Sequence, residues 1–158
     1  MLYLMQHGDS KNKTEDPKRH LSNLGINDVN NNAKLLTENL TANISIIYHS
    51  GKERSEDTAN ILVKYLRPEL GVKLSEGLKP MDEPNLWLEK ANLITSPTII
   101  VGHLPHLGRL ANLLLNRDAD AANIIAFQMA SILCLDKDSE NDNWYIKFFL
   151  PVIHKTKE

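Results

Sequence analysis

The chain has 158 residues, of which 42% are hydrophobic and 24% are charged, and its formal net charge at pH 7 is -2. This predicts one globular domain over residues 1–158, and the weak negative charge argues against a nucleic-acid partner. No apolar run approaches the roughly 20 residues of a membrane span, and no signal-peptide pattern is visible. With Cys134 as the only cysteine, we expect no intramolecular disulfide, no membrane partner and a cytoplasmic location.

Three apolar runs predict buried strands at 2–5, 44–48 and 98–101. The polar segment 10–19 has no apolar period and predicts an exposed loop, which is a candidate for contacting substrate. Residues 70–83 contain several glycines and prolines, and they predict an irregular connection.

Helices are predicted between and after these strands. Ser22 is the predicted N-cap of the first helix. Its apolar face is formed by Ile26, Val29, Ala33, Leu36 and Leu40. Further helices are predicted at about 53–66, at 86–93 and from Pro105 onward, since proline is favoured in the first helical turn.

The last part of the chain changes character. Strand-like segments follow one another at 124–127, 131–135 and 144–150, with a polar turn at 136–143. Strands that alternate with helices and then run consecutively predict an α/β fold. We expect a mostly parallel central sheet with antiparallel additions from the C-terminal strands.

Chemistry-bearing residues follow three of the predicted strands. His7 and His103 each lie beside a glycine at a strand end, and Arg54 comes shortly after a third strand. If these strands are parallel neighbours, their carboxyl ends meet at one edge of the sheet, where open α/β folds bind ligands. Arginine suits phosphate oxygens, and the N-termini of the helices at 53 and 105 would add positive potential.

Such a pocket predicts phosphoryl-transfer chemistry. An unprotonated nitrogen of His7 could attack phosphorus in line, and water could then hydrolyse the phosphohistidine. His103 and Arg54 would neutralise charge on the transferred oxygens.

Metal binding is the competing use of the histidines. His103 and His106 are three positions apart, but Pro105 lies between them and no carboxylate motif accompanies them. The sequence also lacks the glycine-rich phosphate loop, the paired-glycine dinucleotide motif and the serine nucleophile elbow.

Four segments together resemble the histidine phosphatase superfamily, and within it the short SixA-type phosphohistidine phosphatases. The superfamily pattern consists of a strand followed by Arg-His-Gly, an Arg-x-Leu-Ser/Thr-x-x-Gly element, a Ser-Pro-x-x-Arg-x-x-x-Thr-Ala element and a Gly-His-x-Pro-x-Leu element. The matching segments, in the same order, are QHGD at 6–9, RHLSNLG at 19–25, SGKERSEDTA at 50–59 and GHLPHL at 102–107.

The resemblance implies a three-layer α/β/α sandwich that needs no metal and no organic cofactor. It implies His7 as the nucleophile, Arg54 and His103 as catalytic phosphate ligands, and Arg19 as a further contact at the pocket mouth. The remaining candidate phosphate contacts at the strand ends are Gln6, Gly8 and Ser50.

Two positions depart from the superfamily pattern. Gln6 stands where the pattern has its first arginine, and glutamine offers neither a charge nor a bidentate fork. One lost charge-assisted contact is worth about 1.5–3 kcal/mol, so we expect a slower enzyme or a binding module. Gly51 replaces the usual proline before Arg54, which redirects a loop but removes no catalytic group.

A general acid would have to be a carboxylic acid near the scissile bond. The candidates by loop position are Asp9, Asp82 and Glu83. A histidine nitrogen is expelled more easily than an alkoxide, so a phosphohistidine substrate needs no dedicated acid.

The resemblance therefore implies a phosphatase for phosphohistidine on a partner protein, such as a histidine phosphotransfer domain of a signalling kinase. Two alternatives remain open from the sequence. One is a phosphatase for a small phosphoester metabolite, and the other is a phosphate- or phosphoprotein-binding module weakened as a catalyst by Gln6.

Overall fold

The computed structural model describes residues 1–154, and the regular elements alternate as expected over most of this range. In chain order the elements are β1 (Leu2–Gln6), α1 (Asn23–Asn39), β2 (Ile46–His49), α2 (Glu53–Leu66), β3 (Val72–Leu74), α3 (Asn85–Asn92), β4 (Thr98–Gly102), α4 (His106–Leu114), β5 (Ile132–Lys137) and β6 (Trp144–Leu150).

The six strands form one sheet in the order β3-β2-β4-β1-β5-β6. The pairs β3-β2, β2-β4 and β4-β1 are parallel, whereas β5 runs antiparallel to both β1 and β6. The predicted parallel centre with antiparallel C-terminal additions is therefore confirmed.

Helices cover both faces of the sheet. Side chains alternate between the two faces along a strand, so each strand contributes to a buried cluster on either side. Tyr3 and Met5 of β1 face a buried cluster shared with α1 and α2. Leu2 and Leu4 face a second cluster shared with α3 and α4. This is the three-layer α/β/α sandwich, and its central strands are apolar throughout because both faces are covered.

Helix α1 begins as predicted, because the Ser22 side chain accepts a hydrogen bond from the Gly25 N–H at 3.1 Å. Val29, Ala33 and Leu36 are buried on its inner face. Ile26 was expected on that face, but its side chain is exposed.

The structure corrects two of the predicted segments. Residues 124–127 were expected to form a strand but lie in the irregular segment between α4 and β5. Residues 70–83 were expected to be irregular throughout, yet Val72–Leu74 adds a short parallel strand beside β2.

Within residues 1–154, no helix is both long enough and apolar enough to cross a membrane.

Candidate active site

The carboxyl ends of β1, β4 and β2 bring the predicted residues together. Gln6 lies beside Gly102 across the β1–β4 pair, so His7 and His103 follow at the same level. The His7 N–H donates to the Gly102 carbonyl at 3.1 Å. The two imidazole centroids lie 4.9 Å apart, and both rings are more than nine-tenths buried.

The hydrogen bonds of His7 define its tautomer. Its Nδ1 lies 2.7 Å from the Gly8 carbonyl, which can only accept, so Nδ1 carries the proton. Arg54 Nε lies 3.2 Å from His7 Nε2, and a guanidinium can only donate. His7 Nε2 therefore carries a lone pair that faces Arg54.

Burial keeps His7 neutral. Burial, assisted by the nearby Arg54 and Arg19, lowers the pKa of His7 to about 4, and the hydrogen bond to the Gly8 carbonyl opposes this shift. At neutral pH the ring is therefore an unprotonated base with an oriented lone pair, which is the form a nucleophile requires.

The turn after His7 is packed tightly against α1 and α2. The Gly8 N–H donates to Thr58 Oγ1 at 3.0 Å, and Thr58 in turn donates to the Arg54 carbonyl at 2.7 Å. A Cβ on Gly8 would lie 2.7 Å from a methyl of Val29, so only glycine fits without a shift. Helix α2 thereby holds both the turn of His7 and the guanidinium beside it.

A chain of hydroxyl groups orients His103. Its Nε2 lies 2.6 Å from Ser50 Oγ, which lies 2.8 Å from Ser55 Oγ. Ser55 donates its hydroxyl proton to the Lys52 carbonyl at 2.7 Å, so Ser50 donates to Ser55 and accepts from His103. His103 therefore carries its proton on Nε2.

His103 is also held neutral. Burial, followed by the neighbouring His7, Arg54 and Lys52, lowers its pKa to about 2. Its Nδ1 is buried and has no hydrogen-bond partner among residues 1–154. Ser50, expected as a phosphate contact, thus serves first as the acceptor that aims His103.

The positive charges at the site come from two elements. Arg54 lies in the first turn of α2, where burial and then Arg19 lower its pKa. Arg19 belongs to the loop before α1 and is held by hydrogen bonds from Nε to the Lys11 carbonyl at 3.2 Å and from Nη2 to Ser10 Oγ at 3.1 Å. Arg109 of α4 pairs instead with the carboxylates of Glu83 at 3.2 Å and Asp120 at 3.0 Å.

Gln6 is placed at the end of β1 with its backbone in the sheet. Its N–H donates to the Ser131 carbonyl at 3.3 Å, and its carbonyl accepts from the Ala130 N–H at 3.0 Å. Its side-chain Oε1 is buried and has no hydrogen-bond partner among the described residues. The backbone of Gln6 is therefore anchored directly before His7, while its side-chain oxygen is unpaired.

The three candidate acids occupy different places. The Asp9 carboxylate bonds to the Ser22 hydroxyl at the start of α1. Asp82 accepts from the Lys79 N–H at 2.9 Å, and exposed Glu83 pairs with Arg109 at 3.2 Å. Within residues 1–154, none of the three is hydrogen-bonded to His7 or His103.

A cleft of about 890 Å³ adjoins the site through Ser50, whose hydroxyl bonds to His103, but His7, His103 and Arg54 do not themselves line it. It begins at Ser50 and Lys52 and extends between Leu74 and Leu86 toward Asp82 and Glu83. Its lining mixes apolar side chains with both signs of charge, so it has room for far more than a phosphate ion.

Several residues that position the site were not assigned a role from sequence. Thr58 lies four residues after Arg54 and Asp57 three residues after it, so all three share one side of α2. Ser55 completes the hydroxyl chain to His103. The i, i+3 and i+4 spacing shows that Arg54, Asp57 and Thr58 lie on one side of the helix. It does not show which residues they bond to, because those partners are distant in sequence.

No group of three or more His, Cys, Asp and Glu side chains lies together as metal ligands would within residues 1–154. His106, the nearest alternative ligand in sequence, is fully buried with both ring nitrogens lacking a hydrogen-bond partner of good geometry among these residues.

Sequence comparisons find no matching family and no matching curated protein. Solved structures, in contrast, match over nearly the whole chain. The protein histidine phosphatase SixA, solved with tungstate, superposes with a TM-score of 0.80 at 19% identity, covering 95% of this chain and 96% of its own.

Two further matches come from eukaryotes. A phosphoserine phosphatase of Entamoeba histolytica, solved with phosphoserine, matches with a TM-score of 0.69 at 17% identity, covering 94% and 95% of the two chains. A phosphoglycerate mutase of Plasmodium falciparum matches with a TM-score of 0.71 at 20% identity, covering 99% and 94%. The chain therefore has the fold of the histidine phosphatase superfamily, as the four sequence segments predicted.

Proposed function

We propose that this protein is a phosphohistidine phosphatase that forms a covalent intermediate on His7. The observation that carries the proposal is the oriented lone pair of His7 Nε2, fixed by the Nδ1–H bond to the Gly8 carbonyl and faced by Arg54. A buried, neutral imidazole beside a guanidinium suits attack on a phosphoryl group better than a structural role.

The first chemical step transfers the phosphoryl group to His7. His7 Nε2 forms the new P–N bond as the P–N bond to the substrate histidine breaks. The substrate ring, which carries a proton on its other nitrogen, keeps that proton and leaves as a neutral imidazole, so the enzyme donates none. As the phosphoryl group arrives, Arg54 exchanges its bond with His7 for bonds to the equatorial oxygens. The Nε2–H of His103 becomes a second donor when it turns from Ser50 to the same oxygens.

The second step returns the enzyme to its starting state. A water oxygen bonds to phosphorus, the P–Nε2 bond to His7 breaks, and inorganic phosphate leaves with His7 neutral again. The Gly8 carbonyl holds the Nδ1 proton in both steps and stabilises the positive ring of the intermediate.

Three observations bear on the substrate. The cleft that begins at Ser50 and Lys52 is large enough for the residues of a protein substrate that flank its phosphohistidine. No carboxylic acid of the described chain is bonded at the site, which favours a leaving group that needs little protonation. The SixA structure of the same fold is that of a protein histidine phosphatase. A phosphorylated partner protein in the cytoplasm, such as a histidine phosphotransfer domain, is therefore our proposed substrate.

The first alternative is a phosphatase for small phosphoesters. It is favoured by Asp82 and Glu83, which line the cleft and could serve as acids, and by the phosphoserine phosphatase of the same fold. The second alternative is a phosphate-binding module, which is favoured by the uncharged Gln6 at the pocket floor.

A rapid-quench experiment with a ³²P-labelled phosphohistidine protein separates these functions. We expect label on the wild type and on His154→Ala, whose histidine lies in the exposed C-terminal segment, but none on His7→Ala. Phosphate binding without label or release would favour the binding module. Equal turnover of an alkyl phosphate would contradict the phosphohistidine preference.

A further inference from the structure

A histidine–aspartate pair joins the loop of Arg19 to helix α2. His20 Nδ1 lies 2.9 Å from Asp57 Oδ2, and the same oxygen accepts the Leu21 N–H at 3.1 Å. Asp57 is the only residue of α2 that contacts the loop backbone in this way within the described chain, and it lies between Arg54 and Thr58. The loop is thus attached to the helical turn that also holds the nucleophile's turn.

Arg19 stands in a conformation that needs such support. Its φ is +58°, in the left-handed region that disfavours side chains with a Cβ. The loop backbone around it is bonded on both sides, since the His20 N–H donates to Asp16 Oδ2 at 3.0 Å and the His20 carbonyl accepts from Lys11 at 2.9 Å. The left-handed backbone at Arg19 therefore needs contacts from neighbouring residues to stabilise it.

The Arg19 guanidinium lies against the chain that follows His7, because its Nη2 donates to Ser10 Oγ at 3.1 Å and Ser10 forms a β-bridge with Leu21. It is among the groups that lower the pKa values of both His7 and Arg54. Its Nε and Nη2 are bonded to the loop itself, which leaves Nη1 without a hydrogen-bond partner within residues 1–154. An anion in the pocket can accept a hydrogen bond from Arg19 Nη1 if the loop keeps this position.

We propose that His20 and Asp57 are positioning residues that fix Arg19 at the mouth of the phosphoryl pocket, with the hold strongest when His20 is protonated. This rests on the proposed function, since it assumes that His7, Arg54 and Arg19 share one anion. The pair acts through Arg19 and does not itself touch the phosphoryl group.

The surroundings of His20 favour its charged form. The Asp57 hydrogen bond and charge raise the pKa of His20, and the other charged groups that act on it are Asp16 of its own loop and Glu53 of α2, both acidic. Because the pKa is raised, the charged pair is complete on the acid side and weakens as the pH rises through it. Anion affinity should fall over the same range.

Tungstate is a suitable probe, because it is a tetrahedral dianion whose charge is constant above neutral pH, and its affinity can be measured by calorimetry without turnover. Arg19→Ala should weaken tungstate binding about tenfold, the usual effect of one charge-assisted contact. His20→Leu should weaken it about threefold, and His20→Asn, whose amide can still donate to Asp57, should recover most of the loss.

The double variant shows whether the pair acts through Arg19. In the Arg19→Ala background, His20→Leu should cause no further loss, since coupled residues are not additive. The wild-type affinity should fall as the pH is raised above 7, whereas that of His20→Leu should be flat over the same range. The matched control is His154→Leu, which removes the other His–Asp pair, at 3.6 Å from Asp28, and should bind like the wild type.

The outcomes distinguish the two proposals. Tungstate binding by the wild type with equal affinity in both His20 variants would overturn the positioning role and leave the proposed function standing. Additive losses from Arg19→Ala and His20→Leu would also overturn it, because His20 would then act independently. Failure of the wild type to bind tungstate would overturn the phosphoryl pocket itself, and the positioning role with it.

Discussion

Replacing the buried His106 should make the protein more resistant to acid. Its side chain is 0% exposed, and burial lowers its pKa to about 4 against the smaller opposing effects of Asp82 and the Gly77 backbone. The ordinary value in an unfolded chain is about 6.5. The unfolded state therefore binds a proton first, and stability is lost as the pH falls from about 6.5 toward 4.

The size of the effect follows from these two values. Between pH 7 and pH 5, one such histidine removes about 2 kcal/mol from the free energy of unfolding. This is a large share of the roughly 5–15 kcal/mol that stabilises a typical domain. His7 and His103, which are also buried and neutral, add to the loss in the same direction.

The assay is urea unfolding of the wild type and His106→Leu at pH 7 and pH 5. Leucine removes the titrating ring and leaves no polar side-chain atom at this fully buried position. The wild type should lose about 2 kcal/mol more than the variant between the two pH values. Equal losses would refute the reasoning, since His106 would then titrate alike in the folded and unfolded states.

His20 provides a control, because its contribution to the free energy of unfolding changes with pH in the opposite direction to that of His106. Its pKa is raised by Asp57, so its contribution is fully present below about 6.5 and lost as the pH rises. His20→Leu should therefore steepen the loss on acidification.

Three further changes test the site. Gln6→Arg should raise the rate of phosphohistidine hydrolysis about ten- to a hundredfold, by adding a charge-assisted contact; a flat or lower rate would mean that the pocket is built around glutamine. Thr58→Val leaves the Gly8 N–H without its acceptor and should lower the free energy of unfolding by about 1–3 kcal/mol in urea, whereas Thr58→Ser should not. Asp82→Asn and Glu83→Gln should leave phosphohistidine turnover within a few-fold of the wild type; a loss of about a hundredfold would instead identify the general acid.

The meeting of His7, His103 and Arg54 was predictable because it depends on topology. Each residue follows an apolar run that could only be a buried strand, and parallel strands place their carboxyl ends at one edge. The sequence also carries the relevant glycine, since Gly8 lies where no Cβ fits. Predicting these features requires only local sequence patterns and the rule that parallel strands end at the same edge of a sheet.

Other features depend on contacts between distant residues. The tautomers of His7 and His103 follow from partners at Gly8, Arg54 and Ser50 whose distances no spacing gives. The failure at 124–127 has the same origin: its apolar residues resemble a strand, but whether a segment joins the sheet depends on contacts with residues distant in sequence. Val72–Leu74 pairs with β2 and forms a strand despite its short length.

The position of β1 has a consequence for how the protein folds. This strand lies at the centre of the sheet, yet its two neighbours come much later in the chain, with Leu2 beside both Thr98 and Leu135. Pairings between such distant segments close large loops and slow folding. During synthesis, the strand that carries the proposed nucleophile must stay unpaired until β4 and β5 have emerged, so the site forms as one of the last events of folding and a prematurely shortened chain would carry His7 without its pocket.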